Sequence, residues 1–207
     1  MKIIWTIKAH GFLEIAPCDI MDFDGDMEIP VNYDGHLKRY DSMLILSHFK
    51  GYAMGGFGGA LKNMSIGVAS KRGKAWIHTA GITCDINDLW NHIDNQDAFL
   101  ESMAEADKAV IDYFKKENMA YINIANKISI DCDCDSNPKE PELADIWIFA
   151  SLEVALYQCC YDTIINLKDP GSSSMINRIK EKNAVHILES AEKLKLENRT
   201  YEIIDID

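Results

Sequence analysis

The chain has 207 residues, 47% of them apolar and 26% charged, which is ordinary globular composition and long enough to bury a full core. Its formal net charge of -12 excludes a broad basic face, so neither a nucleic-acid nor an anionic-membrane surface is expected, and small anions remain as negatively charged ligands. No apolar run reaches the roughly 18 residues of a membrane span, and Met1 to Lys8 turns polar too soon for a signal peptide, so the chain reads as cytoplasmic. The six cysteines (Cys18, Cys84, Cys132, Cys134, Cys159, Cys160) read accordingly as reduced thiols.

In chain order, Ile3 to Ile7 predicts a strand, broken by His10-Gly11-Phe12 and Pro17, and Asp22 to Asp34 an acidic, turn-rich loop. Met43 to Leu46 is a continuous apolar run, the pattern of a strand buried on both faces of a parallel sheet. A polar loop with His48 and Lys50 follows, then a glycine cluster leading to a helix start at Ala60. From Asp94 or Asn95, either a good N-cap, Phe99, Met103, Ala106, Val110 and Phe114 recur at helical spacing, and Asn118 is placed to end that helix. Tyr121 to Ile130 predicts a strand and Asp145 to Ala150 a second fully buried one. Ser151 would cap a helix running to about Leu167, Asp169 to Ser174 reads as a loop, Val185 to Leu196 as a helix, and Thr200 to Ile206 as a closing strand. Strands alternating with helices predict an α/β fold, with a mainly parallel central sheet, helices on both faces, and a single domain over residues 1–207.

Charge is unevenly distributed. From Ser42 through Cys84 there is no Asp or Glu, although the chain holds 33 of them, while Lys50, Lys62, Lys71, Arg72 and Lys74 all fall in that window. The cluster Gly55-Gly56-Phe57-Gly58-Gly59 sits where a strand gives way to a helix, a place where backbone N–H groups and the helix dipole suit an anion. The candidate anion ligands are therefore Lys50, Gly55, Gly56, Gly58, Gly59, Lys62, Asn63, Lys71 and Lys74. Neither nucleotide fingerprint is present: Gly56-Phe-Gly58 is followed by Leu61 rather than glycine, and Gly67 to Gly73-Lys74-Ala75 has one spacer too many and no Ser/Thr after the lysine.

Asp131-Cys132-Asp133-Cys134-Asp135 follows a predicted strand. In an extended chain its thiols would project to one side and its carboxylates to the other. The carboxylates suit Mg²⁺, Mn²⁺ or Ca²⁺; the thiols with His48 or His78 suit Zn²⁺ or iron. A strand-end turn with buried thiols and solvated acids is the competing reading. Cys159-Cys160, inside a predicted helix, and Trp76, Trp90 and Trp147 read as core residues, and His10, His36, His92 and His186 as surface or cap residues. No Ser-His-Asp order or nucleophile elbow is found.

Ser47-His-Phe-Lys-Gly51, Gly55-Gly-Phe-Gly-Gly-Ala-Leu-Lys-Asn63, Ala69-Ser-Lys-Arg-Gly-Lys74, Ile77-His78, Asp131-Cys-Asp-Cys-Asp135 and His186-Ile-Leu-Glu-Ser-Ala-Glu192 together resemble the domain-of-unknown-function 362 family, a likeness running from His10 onward. The family has no settled reaction, and the resemblance implies that many relatives carry a pair of 4Fe-4S clusters inserted after the segment matching Ile77-His78. Here Cys84 is the only cysteine between His78 and Gln96, so no such cluster is expected. Tyr52 and Val68 stand where relatives often have His and Cys, and relatives usually have a further α/β segment before the part matching His10-Gly-Phe. By that resemblance the chain corresponds to the C-terminal portion of a longer design, and a homo-oligomer or partner chain would cover an exposed sheet edge. Two functions are open: a cofactor-dependent or redox-linked enzyme acting on a small phosphorylated or carboxylated molecule, with a divalent metal or iron, and a non-catalytic binding or assembly module. In the first, the loop His48 to Gly59, the segment around His78 and Asp131 to Asp135 converge at the carboxyl edge of the sheet.

Overall fold

The computed structural model describes residues 40–131, 143 and 147–206. The element order is β1 (Met43–His48), β2 (Lys50–Tyr52), β3 (Gly56–Gly58), α1 (Ala60–Lys62), α2 (Lys71–His78), α3 (Gln96–Phe114), β4 (Met119–Ala125), β5 (Trp147–Ser151), α4 (Glu153–Asn166), α5 (Ser172–Glu181) and α6 (His186–Lys193). The fold is α/β, and the chain divides into two compact units, one of residues to Ile45 with Leu61–Met119, the other of Leu46–Ala60 with Ala120–Asp207. The expected strands Ile3 to Ile7 and the loop Asp22 to Asp34 lie outside the described residues.

In the first unit α1 continues as a single π-helical turn over Asn63–Gly67, against which both α2 and α3 pack. The three- and four-residue spacing that predicted α3 buries Phe99, Met103, Ala106, Val110 and Phe114 along one helix. Asn95 caps its start by accepting from the Ala98 N–H at 3.1 Å, an interaction worth about 1 kcal/mol. The helix stops at Phe114 because Lys115 turns to φ 71°; Asn118 then donates its side-chain amide to the Phe114 carbonyl at 2.9 Å. Asn118 therefore satisfies the helix end without extending the helix.

Among the described residues the sheet order is β1-β4-β5, with a separate two-stranded β2-β3 hairpin. A mainly parallel sheet is not found among the described residues: their three-stranded sheet is mixed, β5 running antiparallel to β4 with Tyr121 opposite Ser151 and Ala125 opposite Trp147. The expectation of strands buried on both faces is corrected. In β1, Ile45 and Ser47 are buried while Leu44 and Leu46 are 58% exposed, and in β5 only Phe149 is buried. Continuous apolar composition did not translate into two covered faces, because a strand's neighbours in space decide coverage and its own letters do not. The predicted strand to Ile130 ends at Ala125, and its remainder survives as an isolated bridge from Ile128 to Leu143.

Of the helical face expected at Val154, Tyr157, Tyr161 and Ile164, helix α4 buries Val154, Tyr157 and Ile164 and leaves Tyr161 half-buried. Ser151 does not cap it, since it is the last residue of β5 and the N-cap position is held by Leu152. The expected loop Asp169 to Ser174 is a turn only as far as Gly171. Ser172 begins α5, with its hydroxyl donating to the Asp169 carbonyl at 2.7 Å. Residues 200–206 form no strand, and Ile203, Ile204 and Ile206 are all more than half exposed. Cys159 and Cys160 are free and buried, and burial pushes the Cys160 thiol up to about 12, the state of a packing residue and not of a nucleophile. Cys84 is disulfide-bonded, which corrects the expectation that every thiol is reduced. No helix among the described residues is long and apolar enough to cross a membrane.

Candidate functional site

The first unit holds a cationic cluster. Lys62, the last residue of α1, and Asn63, the first of the π turn, are half-buried. That turn is wider than an α-helical one, and Ser65 helps hold it by donating to the Leu61 carbonyl at 2.9 Å. Helix α2 starts at Ser70, whose hydroxyl accepts from the Gly73 N–H at 3.0 Å, and this places Lys71 exposed in the first turn with Lys74 half-buried one turn later. His78 closes α2: its Nδ1–H donates to the Lys74 carbonyl at 2.6 Å, and its ring stacks on Phe99 with centroids 5.2 Å apart and planes 19° from parallel.

Electrostatics ties these residues together. Burial holds the Lys62 ammonium below the usual lysine range, and the Lys74 charge adds to that. Burial likewise lowers His78; its hydrogen bond to the Lys74 carbonyl opposes this, and the charges of Lys62 and then Lys74 push it further down. Lys62, Lys74 and His78 thus feel one another, and the net result on Lys62 and His78 is to disfavour the protonated form. A bound anion would reverse the sign of that effect.

The second unit places the other candidates differently. Gly55, Gly56, Gly58 and Gly59 are all buried, and Lys50 is half-buried in β2, opposite Gly58 in the hairpin. A Cβ on Gly51 would lie 1.9 Å from the Ile130 carbonyl oxygen, and one on Gly59 would lie 2.9 Å from Asn123 Oδ1, so these two glycines allow close backbone approach. Gly56 sits at φ 90°, a conformation glycine adopts without strain. The N–H of Ala60, the first helical amide after the cluster, donates to Asn123 Oδ1 at 2.9 Å in a fully buried bond. Phe57 stacks on Tyr157 with centroids 4.7 Å apart, and the Tyr157 hydroxyl donates to the Phe57 carbonyl at 3.1 Å. Asn123 was missed from the sequence. Its one signal is position: it is the polar member of the inward-facing set Tyr121, Asn123 and Ala125 on β4.

Among the metal candidates, His48 donates Nε2–H to the Asn126 carbonyl at 2.6 Å. The Asp131 carboxylate accepts from Arg178 Nη1 of α5 at 3.3 Å, with both side chains largely buried. Cys132, Asp133, Cys134 and Asp135 lie outside the described residues. Among the described residues no three His, Cys, Asp or Glu side chains gather as a metal would require. The second unit also contains a cavity of about 660 Å³ between the end of β4, β5, α4 and residues 201–206, with Asn126, Phe149, Cys159, Tyr201 and Ile204 on its walls. Tyr201 is held there by donating to Asp162 at 2.8 Å, and Arg199 beside it donates to Gln158 at 2.7 Å.

Compared with protein families, residues 2–162 match the model of the family described as Domain of unknown function (DUF362). The chain belongs to that family. The match spans the glycine cluster, both lysine-bearing helical segments and the aspartate–cysteine stretch, so every anion and metal candidate predicted from the sequence lies inside the DUF362 region. No curated protein and no solved structure matches the chain.

Proposed function

We propose that this DUF362 protein binds a small phosphate- or carboxylate-bearing molecule at Lys62, Lys74 and His78 of the first unit, with Asn63 and Lys71 at its margin. The observation that carries this is the mutual electrostatic effect within the cluster: Lys62 is lowered by burial and by Lys74, and His78 is lowered by burial and by both lysines. Holding two ammonium groups close together in a half-buried setting costs the unliganded protein stability, and an anion offsets that cost. The acid-free window from Ser42 through Cys84 supports the same ligand sign, because the stretch that carries these cations is locally positive in an otherwise acidic chain.

The ligand class also fixes a proton balance. An anion favours the charged form of Lys62, so binding takes up protons where that lysine titrates, and affinity falls as pH rises through the lowered Lys62 value. Calorimetric titration with inorganic phosphate, sulfate and citrate in buffers of different ionisation enthalpy measures both. Binding by the parent, weakened about tenfold or more in Lys62→Ala and Lys74→Ala, is the expected result. Equal binding by parent and both variants for every anion would overturn the proposal.

A further inference from the structure

The charge of the chain reverses at the end of α2. Between Ala75 and Asp107 there is no lysine or arginine; the connection from α2 to α3 carries Asp85, Asp88 and Asp94, and the first turn of α3 carries Asp97. The same connection presents apolar side chains to solvent. Trp90 is 68% exposed, Ile82 58%, Ile86 42% and Ile93 36%. Trp90 was expected in the core; instead Leu89 beside it is the buried anchor. Single exposed apolar residues are commonplace, but four within twelve positions, one of them a tryptophan, make a surface that usually serves contact.

This connection is also pinned. Thr79 Oγ1 donates to the Thr83 carbonyl at 3.2 Å, the Thr83 hydroxyl accepts from the Asp85 N–H at 3.0 Å, and Asp85 Oδ1 accepts from the Asn87 N–H at 2.9 Å. Asp88 accepts from Asn91 Nδ2 at 2.9 Å and from His92 Nε2 at 2.9 Å, and these bonds hold its carboxyl below the usual carboxylate range. A loop fixed by its own side chains loses little conformational entropy on docking.

We propose that the segment from Ile82 to Asp97 is a docking surface for a basic protein partner, Trp90 entering an apolar recess and the four aspartates meeting lysines and arginines around its rim. Charge complementarity selects the partner class: with no lysine or arginine in the 33 residues from Ala75 to Asp107, an acidic partner would be repelled and a basic one meets opposite charge on either side of Trp90. The reading is independent of the anion site, which uses other residues.

The test uses the full chain and two synthetic amphipathic peptides of equal length, one of leucine and lysine and one of leucine and glutamate, with hydrogen exchange followed by mass spectrometry. Expected is protection over residues 82–97 by the lysine peptide alone. Affinity should fall about tenfold in Trp90→Ser, which leaves every charge in place, and severalfold in Asp94→Lys. Both positions are exposed, so neither substitution reaches the core. Protection by both peptides or by neither, or undiminished binding to Trp90→Ser, overturns the proposal. Sedimentation of the chain alone is the companion measurement. Self-association abolished by Trp90→Ser would assign the surface to a second copy and overturn the basic-partner reading, whereas a sedimentation coefficient that the substitution leaves unchanged supports it.

Discussion

The α1–α2 stretch of the first unit and the glycine hairpin of the second were read from the sequence as parts of one anion site, and their physical characters differ sharply. Around α1 and α2 the side chains are long, cationic and half-buried, and their charges act on one another. Around β2 and β3 the glycines are fully buried, two of them lie within a carbon's width of other chain atoms, and the amide that follows them is satisfied by a protein side chain. A glycine run at a strand–helix junction can therefore serve backbone clearance as well as ligand approach. The deciding observation is what the first helical N–H donates to.

Four experiments break or sharpen this contrast. The largest effect is expected from Gly51→Ala, whose new Cβ would have backbone atoms of Ile130 as its three nearest neighbours, the closest at 1.9 Å; backbone cannot yield cheaply. Destabilisation of about 3 kcal/mol or more by chemical denaturation is expected. A variant as stable as the parent would remove the clearance role from that glycine.

Next is Asn123→Ala, which leaves the buried Ala60 N–H without its acceptor and should cost about 1–3 kcal/mol. If the second unit retains parental stability while anion affinity appears or rises, the amide was available to a ligand after all, and the contrast between the regions weakens.

The third concerns Glu105, a buried carboxyl on α3 raised to about 7, by burial first and by Glu101 second. Its folded value lies above its unfolded one, so its contribution to stability is present below about pH 4.5 and is lost as pH rises toward 7. Glu105→Gln should flatten that part of the stability curve and leave the protein more stable than the parent at pH 8. A parallel curve for the variant would show that the carboxyl is solvated.

The smallest effect is on the lysines without ligand. Because Lys62 is lowered in the folded protein, its charge opposes folding at pH values below the ordinary lysine range, and stability contributed by this residue rises as pH climbs between the lowered and the unfolded value. Lys62→Ala should therefore leave melting temperature unchanged or raise it by a degree or two at pH 7 in anion-free buffer, and should lose the upward shift that phosphate produces in the parent. A variant that melts well below the parent and still responds to phosphate would place the anion elsewhere.

The features legible in the sequence are those with short range. The cap at Asn95, the apolar spacing of α3 and α4 and the helix at α6 each depend on residues within about four positions of one another, and local spacing specifies local structure. Family membership follows from residues read in order along the chain, and needs no fold. Strand environment is another matter: β5 was expected to be buried and parallel, yet it runs antiparallel to β4 with one inward residue, Phe149, because pairing direction and coverage depend on segments far away in the sequence. Residues 200–206 alternate well enough for a strand and form none, since a strand exists only where a partner edge accepts its hydrogen bonds. Helix α5 was hidden by Ser172-Ser173-Ser174, residues that favour loops on their own and are carried into a helix here by the burial of Met175 and Ile179. Asn123 is the sharpest case. Its meaning lies wholly in a bond to Ala60, 63 positions away, which no local pattern could announce.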